Sequence, residues 1–170
     1  MARSDAVQGD ALSAAPVDPM ALRKVLRGLA TGVTVVAADS ANGPVGVAIN
    51  SFTSVSLEPP LVLFCISRTS RSWPAIRAAG RFAVSFLTED QEHVARRFCA
   101  SGVDRFTGQD IVTAATEAPI LAEAAGYVDC LLSRSIEAGD HHVVLGHVVA
   151  AGILNDSRPL VFTQGTYRSG

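Results

Sequence analysis

The chain lacks several motifs, and each absence closes a class of chemistry. No G-x-G-x-x-G follows a candidate strand and no Walker loop is present, so neither a Rossmann dinucleotide site nor a P-loop is indicated. G-x-S-x-G is missing, which lowers the case for a serine hydrolase. Without a C-x-x-C pair a structural zinc is not expected. No apolar run approaches the roughly 20 residues of a membrane span. The net charge of −2 comes with no basic face of the kind that nucleic acid requires. Cysteine is sparse: Cys65, Cys99 and Cys130 are odd in number, widely spaced and each set among apolar residues. That pattern predicts buried free thiols in a reducing compartment, the cytoplasm. Residues 1–17 have no basic segment followed by a long apolar core, so they read as a loosely ordered leader rather than a signal peptide.

What remains suits one domain, residues 18–170, with no repeat or linker to divide it. Hydrophobic residues make up 48% of 170, enough for a sizeable core. Asp18 is a candidate N-cap with Pro19 at the first helical position, and Leu22, Val25, Leu26 and Leu29 fall on one helix face. This predicts a helix of about three turns that ends near Gly32 and covers a sheet or barrel end. Strands are expected over 33–38, 45–49, 61–66, 81–87, 126–136, 141–153 and 159–162, and residues 166–168 end the fold. Asn42–Gly43 marks a tight hairpin. Ser72, Pro74 and Gly80 bracket a second helix. Thr88-Glu-Asp-Gln91 reads as a capping box for a third, through Phe98. Residues 111–125, with Pro119, read as irregular. Seven or so strands joined mainly by hairpins, with three helices, describe an antiparallel barrel with peripheral helices.

The most informative stretch is GVAINSFTSVSLEPPLVLFCI, from Gly46 to Ile66. Asn50, Ser51, Thr53, Ser54 and Ser56 place short polar side chains on a bend between two strands. Such groups can hydrogen-bond a planar heterocycle with alternating donors and acceptors, of which an isoalloxazine is one, or they can simply solvate the connection. Next come Ser67, Arg68, Ser70, Arg71 and Ser72, which read either as an anion site fit for a phosphate or as an ordinary helix cap with solvated arginines. Arg96–Arg97 either complement a helix C-terminus or reach a ligand phosphate or adenine. Asp104–Arg105–Phe106, in the loop 99–110, reads as a pocket lid or a self-paired turn. His141 and His147 share one strand face and His142 takes the other, so no metal site is expected there. His142 and His147 read as one solvated and one partly buried residue.

N-S-F-T-S-V-S-L-E-P-P-L-V-L at 50–63 is followed in order by S-R-S-W-P-A-I at 70–76, R-R-F at 96–98, D-R-F at 104–106 and G-D-H at 139–141. From about Met20 to Arg168 the chain thereby resembles the short-chain flavin reductases, the small components of two-component flavin-dependent monooxygenases. The resemblance implies a mainly β fold, an antiparallel Greek-key FMN-binding split β-barrel, in a homodimer with flavin near the dimer interface. It implies reduction of FAD or FMN by NADH or NADPH. It also implies delivery of diffusible reduced flavin to a separate monooxygenase or halogenase.

Carried over by motif, the resemblance places Asn50, Ser51, Thr53 and Ser54 along the isoalloxazine and ribityl chain, with Val55 and Ser56 continuing that wall. It places Ser67, Arg68, Ser70 and Ser72 at the phosphate, and Arg97, Phe98 and Cys99 beside the ribityl or adenine part. Thr31–Gly32 flank the pocket, and His141 is the catalytic-site residue set against the nicotinamide. Departures from the family pattern are Ala48 where Thr is frequent, His142 after G-D-H, and Gln164 where a basic residue is frequent. No basic cluster for a 2′-phosphate is evident, which favours NADH over NADPH. Two other readings stay open on sequence: a split-barrel flavoprotein that keeps its flavin and acts on a bound small molecule, and a non-catalytic flavin-binding module.

Overall fold

The computed structural model describes residues 17–170, so the expected leader lies, but for Val17, outside the described residues. The elements run α1 (Pro19–Leu26), β1 (Thr31–Gly32), β2 (Thr34–Ser40), β3 (Gly43–Ile49), β4 (Thr53–Leu57), β5 (Pro60–Ser67), α2 (Trp73–Ala79), β6 (Arg81–Phe86), α3 (Glu92–Cys99), β7 (Ile111–Val112), β8 (Ile120–Leu121), β9 (Gly126–Ala138), β10 (His141–Ile153), β11 (Leu160–Thr163) and β12 (Thr166–Ser169). Seven of these strands form one sheet in the order β3-β2-β6-β9-β10-β5-β4. Every pairing in it is antiparallel. The expected strand regions supply most of this sheet. The remaining strands are short and form a three-stranded sheet, β1-β11-β12, and the pair β7-β8.

The reversal at Asn42–Gly43 falls where the sequence marks it: Gly43 has φ of 98° and Ser40 pairs with Gly43. β10 spans the predicted residues, His141–Ile153. The Ser/Thr-rich segment is more than a bend. Only residues 50–52 leave the ladder; Thr53–Leu57 form a strand that pairs with β5 and ends the sheet. Between Ser54 and Ser56 the register slips at Val55, a bulge at the exposed edge.

Strand periodicity places β2 at the centre of two cores. Val36 and Ala38 pack in a cluster with Phe64, Phe82, Val144 and, from α2, Trp73 and Ile76. Val33, Val35 and Ala37 pack in another with Leu87, Leu160 and, from α3, Val94, Ala95 and Phe98. The sheet also curls so that residues just beyond β3 meet β5. The Ser51 hydroxyl donates to the Cys65 carbonyl at 3.0 Å and accepts from the Cys65 N–H at 2.9 Å. One side chain thus bridges a seam that has no main-chain ladder, and the barrel is split there.

Several expectations need correction. α1 begins as predicted, with the Asp18 carboxylate accepting from Met20 and Ala21 N–H, but it stops at Leu26, well short of Gly32. Thr31 and Gly32 pair instead with Phe162 and Val161, a demand from a distant segment that ends the helix early. No α1 residue is buried, so its apolar face covers nothing among the described residues. α3 starts at Glu92, not directly after Thr88. Half of the capping box forms: Gln91 Oε1 accepts from Thr88 N–H at 3.0 Å, while the Thr88 hydroxyl turns to Asp90. The thiols are all free, but only Cys130 is buried; Cys65 is half-buried and Cys99 exposed. Residues 111–125 are not wholly irregular, because Ile111–Val112 pair with Ile120–Leu121 and the buried Asp129 carboxylate accepts from the Thr116 N–H and hydroxyl.

Candidate active site: a cleft at the seam

The split in the barrel opens a cleft of about 300 Å³ between the end of β3 and the end of β5. Ala48 and Ile49 supply an apolar wall, and Asn50, Ser51, Ser67, Ser70 and His141 bring an amide, hydroxyls and an imidazole to it. These residues come from sequence positions as far apart as Ala48 and His141, joined because β10 pairs with β5 so that His141 stands opposite Ser67. A cleft with an apolar wall and a few convergent polar groups suits a planar polar ring.

Its polar groups differ in what they have left to offer. The Ser51 hydroxyl is spent on both backbone groups of Cys65, so Ser51 shapes the cleft more than it serves a ligand. The Ser67 hydroxyl closes a turn, bonding the Thr69 hydroxyl at 2.9 Å and accepting from Thr69 N–H at 3.2 Å. Ser70 N–H donates to the Ser67 carbonyl in that turn. His141 Nδ1 donates to the Asp140 carboxylate at 2.7 Å. That bond fixes the tautomer and leaves Nε2 for the cleft. The bond from His141, and secondarily its charge, holds the Asp140 carboxyl below the ordinary carboxylate range.

The adjacent histidine is a different kind of residue. His142 is buried beside Trp73, ring centroids 5.3 Å apart, and its Nδ1 is 3.5 Å from the Ser135 hydroxyl. His147 is half-buried, so neither of the pair is the solvated residue that strand parity suggests. Among the described residues no three His, Cys, Asp or Glu side chains gather as a metal-binding group.

A second cavity of about 160 Å³ shares Ala48, Ile49 and Asn50 with the cleft and adds Cys99, Phe162 and Tyr167. Asn50 therefore stands between the two. The aromatic pair Phe162 and Tyr167, centroids 5.2 Å apart, went unrecognised in the sequence. The signal that could have found them is the reversal at Gln164–Gly165, where φ is 52° and 81° and β11 folds back on β12. Arg96 lies over the Tyr167 ring at 5.2 Å, and burial, then Cys99, pushes the Tyr167 hydroxyl above its ordinary range.

Other expected residues lie elsewhere. Thr53, Ser54 and Val55 are exposed and Ser56 half-buried on the edge strand β4, and none of the four lines the cleft. Arg68 is exposed and pairs with Glu137 at 3.9 Å. Thr31–Gly32 are held in β1, where the Thr31 hydroxyl donates to the Phe162 carbonyl at 3.4 Å. Arg97 Nη1 donates to the Thr107 carbonyl at 2.6 Å. Phe98 is fully buried, its ring edge-on to Phe106 at 5.1 Å, and cannot border a ligand; Val94, Ala95 and Phe98 form the inward stripe of α3.

Ser72 belongs to a third cavity, about 380 Å³, at the other end of β3. It precedes α2 but makes no side-chain cap bond. Its hydroxyl donates to the Gly46 carbonyl at 3.1 Å and accepts from Arg105 Nη1 at 3.1 Å. Arg105 also donates from Nη1 to the Gly46 carbonyl at 2.6 Å, and from Nε and Nη2 to the Ala100 carbonyl at 3.1 and 2.7 Å. So the D-R-F segment is neither a free lid nor a self-paired turn. Asp104 caps its own turn through Phe106 N–H and the Thr107 hydroxyl, while Arg105 latches the loop to β3. Gly46 permits this: a Cβ there would lie 2.8 Å from the Phe98 ring.

Residues 26–170 match the model of the flavin reductase like domain. The chain is 41% identical over 162 residues, 95% of its length and 83% of the relative's, to the reductase subunit HsaB of a flavin-dependent monooxygenase from Rhodococcus jostii. Among solved structures, the NADH:FAD oxidoreductase SgcE6 of Streptomyces globisporus, in complex with NAD and FAD fragments, superposes with a TM-score of 0.83 at 39% identity, over 91% of this chain and 96% of that one. BorF, the flavin reductase component of a bacterial two-component tryptophan halogenase, gives 0.83 at 34%, over 89% and 98%.

Proposed function

This chain belongs to the flavin reductase like family, and from that premise we propose that the cleft at the seam is where NADH reduces a flavin. The enzyme is an NADH-dependent flavin oxidoreductase, and the flavin is FAD or FMN. Reduced flavin passes to a separate oxygenating partner, a monooxygenase or halogenase, as the names of the relatives support. The observation that carries the reading is the cleft itself: an apolar wall, an amide, hydroxyls and an oriented imidazole converge at the seam between β3 and β5.

The bound pair supplies the redox chemistry, a hydride moving from nicotinamide C4 to flavin N5. The protein's part is placement. Ala48 and Ile49 give the flavin ring a flat wall, and Asn50 offers an amide at its edge. The bend 50–52 has left the ladder, so its N–H groups would be free to donate to a flavin ring on the side where negative charge develops. Ser67 and Ser70 would hold the phosphate end. His141, oriented by Asp140, would position the nicotinamide against the flavin. Cys99 and Tyr167 close the neighbouring cavity.

Residues 18–170 act as one unit, and that unit works as a homodimer. Met20, Val25 and Leu29 on and beside α1 are 67%, 76% and 65% exposed, and Leu57 on β4 is 89% exposed. A lone eight-residue helix with no buried face is not self-supporting in water, which favours a second copy packed against it. The same packing brings Thr53, Ser54, Val55 and Ser56 of β4 into a shared wall. Among the described residues no helix is long and apolar enough to cross a membrane. We place the enzyme in the cytoplasm, where NADH is available and the exposed Cys99 stays reduced.

Anaerobic stopped-flow absorbance with NADH and excess FAD or FMN tests the reading. Bleaching of many flavins per chain is expected. One flavin bleached per chain would favour a retained cofactor acting on another substrate. No bleaching would leave a binding module.

A further inference from the structure

A cavity of about 500 Å³ lies where β6, β9 and β10 run side by side, and it shares no lining residue with the cleft. Its floor is strand surface. Arg81 stands opposite Leu131 in the β6–β9 ladder, and Val149 sits in the bulge of β10 between Val148 and Ala150. Leu131 and Val149 are both exposed, so the floor is apolar and open. The wall is the turn from Ala114 to Glu117. Glu117 has φ of 62°, and its N–H donates to the Ala114 carbonyl at 3.4 Å. The buried Asp129 carboxylate accepts from the Thr116 N–H at 2.7 Å and from the Thr116 hydroxyl. The Ala118 N–H in turn donates to that hydroxyl at 3.3 Å. The wall is therefore fixed by the chain itself, with no ligand needed to shape it.

Arg81 is the residue that this frame leaves unsatisfied. It is half-buried, and its Nε is enclosed with no hydrogen-bond partner among the described residues. The ion pairs among the described residues are Arg68–Glu137, Arg96–Glu92 and Asp140–His141, so Arg81 has no carboxylate partner there. Glu117 lines the same cavity but is exposed and forms no ion pair with it. A guanidinium drawn partly out of water without an acceptor is costly, and its planar fork matches the two oxygens of a carboxylate. Glu117 limits the charge of what can enter, because a dianion such as phosphate meets its repulsion where a single negative charge meets less. Ala114, Ala115, Leu131 and Val149 offer surface to an apolar body.

We propose that this cavity is a ligand site separate from the cleft, and that it takes a small monocarboxylate with an apolar body, its carboxylate on the Arg81 guanidinium. The inference goes beyond flavin reduction and does not rest on the reading of the cleft.

Calorimetric titration of sodium benzoate into the full chain, without flavin and with excess FAD, tests it. One benzoate per chain binds in both titrations. Benzamide, of the same shape without the charge, binds at least about tenfold more weakly, and so does inorganic phosphate. Arg81→Met keeps an apolar stem and weakens benzoate at least about tenfold, while Arg81→Lys, which keeps the charge and loses the fork, weakens it less. Unchanged far-UV circular dichroism shows that the variants are folded, and the benzamide comparison on the unmodified protein decides the matter even where they are not. No benzoate binding, equal binding of benzamide or phosphate, equal binding to a folded Arg81→Met, or displacement of benzoate by FAD overturns the inference. A protein that binds benzoate in this way but no flavin overturns the cleft reading and leaves this site standing.

Discussion

The two ends of β3 line two different cavities with opposite chemistry. From Val47 onward the strand offers an apolar wall that ends in an amide, with a neutral seam fastened by Ser51. From Pro44 to Gly46 it offers a carbonyl and a glycine gap, into which Arg105 and two phenylalanine rings are drawn. One strand can therefore serve a planar ring at one end and a charged group at the other. What differs is the partner each end recruits: a hydroxyl fourteen residues from its mate at the seam, and a guanidinium fifty-nine residues from its carbonyl at the latch. The seam is a local device and the latch a long-range one, so they should fail separately.

The largest effect is expected at the latch. Gly46→Val forces a side chain onto the Phe98 and Phe106 rings and should cost about 1–3 kcal/mol of unfolding free energy. Urea denaturation reads that loss, and faster proteolysis in the 100–106 loop would localise it. A loss without loop cleavage would place the strain elsewhere.

Next is His141→Ala, at the cleft end. The KM for NADH should rise about tenfold while flavin affinity holds, because the imidazole positions the nicotinamide and not the flavin. An unchanged NADH constant would remove His141 from the site.

Ser51→Ala strips two bonds from the seam and should cost about 1–2 kcal/mol, read by thermal unfolding, with weaker flavin binding. Loss of flavin binding with full stability would mean that the hydroxyl serves the ligand and not the seam.

The smallest effect separates the thiols. Cys99 beside the cleft should react first with a thiol reagent and be shielded by bound FAD, whereas Cys130 in the core should react only on unfolding. Burial, then the Asp129 carboxylate, pushes the Cys130 thiol from 9.0 to about 12. The unfolded chain gives up that proton at lower pH than the folded one. The stabilisation is therefore whole below the unfolded value and is lost as pH rises through the folded one. The urea midpoint should fall between about pH 8 and about pH 10, and Cys130→Ala should shrink the fall.

Much of this was legible because it is local. The Asn42–Gly43 reversal, the limits of β10 and the Asp18 cap are each written in a few adjacent residues. Asn50, Ser51, Ser67, Ser70 and His141, singled out by short motifs, line one cleft. What escaped is set by partners far along the chain. Thr31 stops being helical because Phe162 pairs with it. Ser72 leaves its helix for Gly46 and Arg105. Phe98 turns into the core because α3 must cover β2. Two-residue strands such as β7 and β8 have no periodicity to read. The exposed wall of Thr53 to Ser56 depends on packing that one chain does not contain.

The most direct test is a crystal structure of the protein with FAD and NAD⁺. The account predicts the isoalloxazine against Ala48 and Asn50 and the nicotinamide at His141. A flavin ring lodged anywhere other than the seam between β3 and β5 would contradict it.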